Sequence, residues 1–405
     1  MARVNEDVII VGGGIGGLSA ALGLAEAGRS SIVLERAPEF GEVGAGLQLA
    51  PNGTAILKRL GVMEEMSKYA VFPKRLVILD AFTGKELTSL DLQAEFKKRY
   101  GHPYIVMHRA DMHKVLYEAC LKKGNIRLMT NSEVEKVEDL PDGARVYLTE
   151  GTVYEADAVI GADGIHSKTR KLICDDQPVC SQYVAYRGTI PMEEIIETAG
   201  TDPDDVLMFI GPNLHVVQYP VRRRELYNQV VVFKSFKYKP GSDAWKANDW
   251  GTPEEMDERF KGTCAAVQRA ISFVSRQFRW AMWDRNPIDN WTKGHVTLLG
   301  DAAHPMLQYM AQGAIQALED VAQLTNMLHK YGKDYKTAFI EYQKERIPRA
   351  SQVQTYARNW GEILHATDPI TIMLRNDIFA RRSKYDVTHV DWLYSKRYEE
   401  PVVAK

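Results

Sequence analysis

Val8-Ile9-Ile10-Val11-Gly12-Gly13-Gly14-Ile15-Gly16-Gly17 decides how the fold is read. A short apolar run ends in glycines, and residues 18–27, rich in alanine and leucine, close at Gly28. This is the pattern of strand, tight turn and helix. Gly12, Gly14 and Gly17 fit G-x-G-x-x-G, where missing side chains permit the turn, a close approach to pyrophosphate and tight packing of helix on strand. The helix N-terminus then faces a phosphate. Residues 31–34 form a second apolar run, followed by Glu35 and Arg36, so the segment completes a β-α-β unit with an acid placed for a ribose hydroxyl. A surface acid paired with Arg36 is the plainer reading of Glu35. In the functional reading, the acid repels a 2′-phosphate, which favours FAD or NAD over NADP.

Working outward, residues 158–161 read as a short buried strand leading into Gly161-Ala162-Asp163-Gly164, and residues 296–299 as another leading into Gly300-Asp301-Ala302-Ala303-His304-Pro305. A long cofactor needs one anchor at its adenosine end and another near its far end, so the first and last motifs together suggest FAD. Residues 111–122 read as a helix. Residues 181–236 change to short alternating or β-branched runs, as at 215–219 and 229–233, which look like a separate sheet. Residues 253–278 read as helical, as do 313–328 and 335–365, and the chain ends in a polar tail. The expectation is an α/β protein. A discontinuous Rossmann-like FAD-binding domain would take 1–75, 101–180 and 285–345, a β-sheet substrate-binding domain 76–100 and 181–284, and a C-terminal helical region 346–405.

The chain has 405 residues and a formal net charge of −2 with both signs evenly spread, which gives no electrostatic footprint for nucleic acid. Four scattered cysteines, Cys120, Cys174, Cys180 and Cys264, suit free thiols in a reducing cytoplasm rather than a disulfide framework or a metal site. Residues 8–25 carry no charge, but their glycines suit a turn better than a membrane span. Residues 1–7 include Glu6 and Asp7 and lack a basic start, so neither a targeting nor a transmembrane segment is expected. One dinucleotide fingerprint and no C-x-x-C count against a dithiol flavoreductase.

The three motifs in this order resemble the fingerprints of single-component (group A) FAD-dependent aromatic hydroxylases, and the resemblance covers nearly the whole chain. It implies that Asp301 hydrogen-bonds the ribityl chain of FAD, that Asp163 belongs to a motif associated with FAD and nicotinamide, and that Arg109 lies near the cofactor. It further implies that the backbone of Gly313 and Ala314 faces the flavin ring. Asp163-Gly164 would also suit an ordinary turn, Asp301 a helix cap, and His304 a structural role. The implied reaction has two halves. NADH, with NADPH as the alternative, reduces the flavin, and O2 then forms a flavin C4a-hydroperoxide whose distal oxygen attacks an electron-rich aromatic carbon. A phenol bound there must lose its proton fully or in part, so the site needs a base, a group that orients the substrate and a dry pocket.

Within the family, the match is to 3-hydroxybenzoate 6-hydroxylases, through Gly41-Glu42-Val43-Gly44-Ala45-Gly46-Leu47-Gln48, residues 215–220 and 305–309, and Asp391-Trp392-Leu393. This implies conversion of 3-hydroxybenzoate to gentisate, and Gln48 joins the cofactor set. Salicylate-hydroxylase relatives generally have proline where this chain has Gln308, which weakens that reading. Salicylate and 6-hydroxynicotinate remain alternative substrates, and an FAD oxidase or dehydrogenase is the alternative of another class. His215, Val217 and Tyr219 alternate on a strand and should face one side, with His215 the candidate base. Gln308 would bond substrate or oxidant, Tyr104 and Tyr219 would bind ring and carboxylate, and Arg187 would assist electrostatically. Arg222-Arg223-Arg224 reads as a charged turn before it reads as a binding patch. Relatives suggest a homodimer.

Overall fold

The run at residues 8–11 forms strand Val8–Val11 inside a six-stranded sheet. The order is Thr292–Lys293, Val296–Leu298, Ala158–Gly161, Val8–Val11, Ser31–Leu34 and Ile126–Met129, parallel except for the first strand. Every residue of Val8–Val11, Ser31–Leu34 and Ala158–Gly161 is buried, as parallel strands covered on both faces require. Helix Ile15–Glu26 crosses helix Gly313–Tyr331 at Gly23, where a Cβ would come 2.4 Å from Thr325 Oγ1. This computed structural model describes residues 2–3, 6–41, 45–195, 200–241 and 249–398. Glu42, Val43 and Gly44 of the family stretch lie outside them.

A seven-stranded sheet forms the second layer, in the order Trp280–Asp284, Val179–Pro191, Leu226–Lys234, Leu214–Val221, Val206–Gly211, Arg75–Asp80 and Glu86–Asp91. The four strands between residues 179 and 234 carry out the expectation of a separate sheet, Trp280–Asp284 joins them from a later segment, and the last two arrive from an earlier one. Strand Leu214–Val221 is buried throughout, with His215 pairing Ile210 on one side and Val232 on the other. The hairpin joining it to Leu226–Lys234 turns through three consecutive left-handed residues, Arg222, Arg223 and Arg224, at φ 50°, 55° and 71°. Side chains accept this backbone at a cost of about 1–2 kcal/mol each. Here Arg222 pairs with Asp111, Arg223 donates to Lys68 O, and Arg224 pairs with Asp204, so the basic triplet is a clamped turn.

Four expectations need correction. The C-terminal region does not begin at residue 346, because one helix, Tyr335–Leu364, runs through that point, and its Arg346 is anchored to Glu319 and Asp320 of the preceding helix. The polar tail contains helix Pro369–Arg381, opened by Asp368, whose carboxylate accepts from Thr371 N, and by Pro369 at the first helical position. Residues 253–278 hold two helices, Pro253–Arg259 and Ala265–Phe273, separated at Gly262, whose φ is +80°. A four-stranded sheet of Ala2–Arg3, Val153–Ala156, Gly143–Leu148 and Val134–Leu140 was not expected. In Val134–Leu140 only Val134 and Val137 are buried, three apart, because the pairing with Gly143–Leu148 shifts register between Tyr147 and Leu148. The alternation that announces a strand is therefore broken.

Candidate active site

The first motif folds as its glycines demand. Gly12 has φ +103°, and a Cβ there would sit 2.5 Å from Ala162 O. A Cβ on Gly17 would lie 1.9 Å from Gly12 O, so the helix can rest on the turn only without one. Gly14 precedes helix Ile15–Glu26 with no side-chain cap, which leaves the first-turn amides for a ligand. Glu35 accepts from Gly13 N at 2.8 Å through one oxygen and from Ala37 N at 2.8 Å through the other. Its carboxylate thus pins the glycine turn from the neighbouring strand, and buried His113 holds the same turn with Nε2 2.8 Å from Gly13 O. Sequence reasoning missed His113, which lies a hundred residues away on helix Arg109–Leu121.

The second and third motifs are tied together. Asp163 accepts from Ser167 Oγ at 2.6 Å, Lys168 N at 2.7 Å and Thr169 N at 3.1 Å, so its carboxylate shapes the loop that follows. Within that loop the buried Arg170 donates to Ala302 O at 2.9 Å and Ala303 O at 2.7 Å, and it pairs with Asp176. Gly300, at φ +61°, donates its N–H to Asp320 Oδ2 at 2.8 Å, and His304 Nε2 reaches the same oxygen at 2.5 Å. Asp320 Oδ1 in turn accepts from Arg346. Beside it, burial opposes the charge of Glu319, but Arg346 and Arg349 hold its carboxyl down to about 2. This buried cluster of two acids and two guanidiniums fixes the motif that presents Asp301, and it gives His304 a structural place.

A cavity of about 1120 Å³ joins the motifs. Ile15 and Gly16 line one end, then Gln48, Arg109, Ala162 and Gly164, then Asp301, Gly313 and Ala314. Gly313 opens helix Gly313–Tyr331, and no side chain caps that start either. Two uncapped helix starts, one behind the glycine turn and one at Gly313, meet a single cavity large enough for a dinucleotide, and the residues present fit FAD. Gly12, Gly14, Gly17, Glu35 and Asp163 stand behind this lining. Arg36 is exposed at the end of its strand, outside the lining, and its charge acts on His166 in the loop of the second motif.

The substrate-side candidates converge on the same cavity. His215, Val217 and Tyr219 all line it, as their alternation requires, together with Arg187, Gln308 and Tyr104. Arg187 Nη2 donates to Gln308 Oε1 at 2.9 Å, which joins two residues that the sequence could only treat singly. The guanidinium lies 5.4 Å from the centre of the Trp280 ring, and its Nε is buried without a partner. Burial, opposed by Tyr219 and aided by nearby Arg109, moves Arg187 below its ordinary range. Tyr104 donates its hydroxyl to Gln48 Oε1 at 2.7 Å, and Tyr219 packs on Gly46, where a Cβ would come 2.5 Å from the ring. His215 is buried, and burial takes its imidazole down to about 3, so it is neutral and offers the cavity an uncharged ring.

Sequence reasoning missed two further parts of this end. His365 stands against His215, and the cavity wall continues through Leu374, Arg375, Ile378 and Phe379 of helix Pro369–Arg381. Nothing in the sequence links His365 to a residue 150 positions earlier. The helix was legible from Asp368-Pro369, a cap followed by proline at the first helical position.

A family model described as an FAD binding domain matches residues 5–357. The chain is 38% identical over 402 residues to 3-hydroxybenzoate 6-hydroxylase 1 of Aquipseudomonas alcaligenes, covering 98% of this chain and 99% of that one. It is 37% identical over 390 residues to the 3-hydroxybenzoate 6-hydroxylase of Polaromonas naphthalenivorans, covering 96% and 95%. Among solved structures, HpxO of Klebsiella pneumoniae complexed with FAD and uric acid superposes with a TM-score of 0.81 at 24% identity, covering 94% of each chain, which shows the shared fold. The order of its motifs, its two-layer architecture and its near full-length relatives place this chain in one family: it belongs to the single-component FAD-dependent aromatic hydroxylases.

Proposed function

We propose that this protein hydroxylates 3-hydroxybenzoate to gentisate, using NADH and O2. The observation that carries the reading is a neutral, buried imidazole and a guanidinium on one cavity wall: His215 and Arg187, the latter held by Gln308, lie beyond Gly313 and Ala314. The relatives named for this substrate support the choice. FAD, where bound, supplies electron transfer from NADH and the activated oxygen. Gly12, Gly14 and Gly17 with Glu35 form the turn that would take its adenosine end. Asp301, Arg109 and Gln48 would hold the middle, and the backbone of Gly313 and Ala314 the ring.

The chain's residues do the rest. Arg187 pairs with the substrate carboxylate, assisted by the hydroxyl of Tyr219, while the ring of Tyr104, its hydroxyl held by Gln48, packs on the substrate ring, and this fixes which ring carbon faces the oxidant. His215 takes the phenol proton. The electron pair left on oxygen feeds into the ring and raises density at the carbon para to it, where oxygen enters. Gln308 keeps Arg187 in place, and the apolar wall around Val217 excludes water.

No helix among the described residues is long and apolar enough to cross a membrane. We propose a cytoplasmic homodimer. Its support is the four free cysteines and the exposed Ile370 and Met373 of helix Pro369–Arg381, which a second copy would cover. Light scattering of the purified protein gives the mass that decides it.

The test is NADH oxidation by purified yellow protein with 3-hydroxybenzoate and salicylate side by side, under labelled O2, with products identified by mass spectrometry. Labelled gentisate is expected. NADH consumption that leaves 3-hydroxybenzoate unchanged sinks the reading, and labelled product from salicylate alone replaces the substrate.

A further inference from the structure

His215 touches a second imidazole. His365 follows the last turn of helix Tyr335–Leu364, and its Nε2 lies 2.7 Å from His215 Nδ1. The two rings are 20° from parallel with centroids 4.9 Å apart. Tyr183 stacks on His365 at 4.6 Å, and Tyr309 sets its edge against both, at 5.7 Å from His215 and 5.1 Å from His365. The backbone holds the same contact, because His365 O accepts from Asn213 N, two residues before His215.

Two ring nitrogens at this distance share one hydrogen, since two lone pairs or two N–H groups facing each other repel. Both rings are neutral at working pH. Burial takes His215 to about 3, and burial followed by the charges of His215, Arg375 and Lys234 takes His365 to about 2. If His215 Nδ1 carries the shared hydrogen, His215 Nε2 is a bare lone pair. If His365 carries it, His215 presents an N–H and cannot accept a proton. A neutral histidine is a base only in the first tautomer.

The charges around the pair favour the same arrangement once a proton arrives. Arg375 and Lys234 face His365, while Glu362 faces Tyr183 and Tyr309 and Asp284 faces Tyr309. Among the described residues, no carboxylate bonds either imidazole. The group in contact with a protonated His215 is therefore the lone pair of His365, and an N–H donated from a cation is about twice as strong as a neutral one.

We propose that His365 is a positioning residue for His215: its Nε2 accepts the Nδ1 hydrogen, so that His215 turns a bare Nε2 to the cavity, and it goes on accepting that hydrogen when Nε2 takes the phenol proton. In that step the phenol O–H bond breaks and an N–H bond forms at His215 Nε2. The electron pair stays on oxygen as phenolate, and the hydrogen between the two imidazoles remains in place. This inference rests on the reading of His215 as the base.

The tautomer can be read without substrate. In holoenzyme carrying ¹⁵N-histidine, two-bond nitrogen-proton correlations at pH 8 should place the His215 hydrogen on Nδ1, the signal being assigned by its loss in His215→Asn. His365→Gln should keep it there, because an amide oxygen can replace the acceptor. His365→Phe keeps the stack on Tyr183 and removes the acceptor, and it should move hydrogen to Nε2. A parent enzyme with hydrogen already on Nε2 overturns the proposal and needs no variant to show it. With 3-hydroxybenzoate as probe on the oxidised holoenzyme, the pH at which bound phenol ionises should rise by roughly one unit in His365→Phe, and hydroxylation should slow roughly tenfold, with His365→Gln recovering most of both. FAD content should not change. A His365→Phe titration that matches the parent overturns the proposal. A parent that leaves 3-hydroxybenzoate unconverted while the tautomers behave as stated defeats the substrate reading alone, and the pairing stands.

Discussion

The two ends of the cavity are built from different materials. At the adenosine end the shape is set by backbone: behind the lining, Gly12 and Gly17 contribute through side chains they lack, and Glu35 and His113 act by holding Gly13. At the substrate end the surface is side chain, with Arg187, His215 and Gln308 on the wall and His365 behind His215, brought from four distant segments and bonded in pairs. A backbone site tolerates no added atom, whereas a side-chain site tolerates substitution but loses its chemistry. The first kind of change should therefore cost the fold and the cofactor, and the second should cost turnover alone.

The largest effect should come from Gly17→Val. Its Cβ would meet Gly12 O at 1.9 Å, which is backbone and cannot step aside. Overpacking of this kind costs about 3 kcal/mol, and the displaced turn no longer fits a pyrophosphate. The variant should purify with little bound FAD, read from flavin absorbance against protein absorbance. A full flavin complement would break the comparison at its firmer end.

Next comes His215→Ala. Loss of a general base costs about 10²–10⁴ in rate, and nothing at the adenosine end depends on this ring. Hydroxylation of 3-hydroxybenzoate should fall by about that factor with FAD retained and folding intact. Unchanged turnover removes His215 from its role. Gln308→Ala should do less. It frees Arg187 from its 2.9 Å partner, so the substrate is held more loosely, and the share of NADH consumed without hydroxylation should rise about severalfold. Gentisate formed in equal amount to NADH consumed would show that Arg187 keeps its place unaided.

The same division explains what the sequence made legible. A backbone site is written as residue type at fixed spacing, so the strands at 8–11, 31–34 and 158–161 and the glycine turn could be read directly, with Glu35 at its strand end. Tyr219 and Val217 could be placed beside His215 because alternation on one strand is local. The bond between Arg187 and Gln308 spans 121 positions and that between His215 and His365 spans 150, and no local pattern carries either. Arg36 is placed by its sequence neighbour Glu35, and it lies exposed just past the end of the strand.

The smallest effect concerns acid, and it separates the two ends by pH. Glu319, in the cluster behind Asp301, is held from 4.5 down to about 2. Its contribution to stability is therefore complete above about pH 4.5 and is lost only as pH falls from there toward 2. His215 and His365 are lowered from 6.5 to about 3 and about 2, so the folded protein keeps them neutral while the unfolded chain protonates them. Their contribution is complete above about pH 6.5 and drains away as pH falls below it. Partly buried His102 and exposed His166 are lowered too, by loss of solvent and by nearby arginine and lysine charges, and act in the same direction. Between pH 6 and pH 5 the cluster at the cofactor end is still nearly silent, whereas buried His215 and His365 respond, each by about 1.4 kcal/mol per pH unit. Urea titrations of parent and His365→Phe at pH 6 and pH 5 should therefore differ in slope by about that amount, with the variant less sensitive to acid. Equal slopes would mean that His365 is already protonated in the folded protein, and the substrate end would then carry a positive charge where the mechanism needs a bare lone pair.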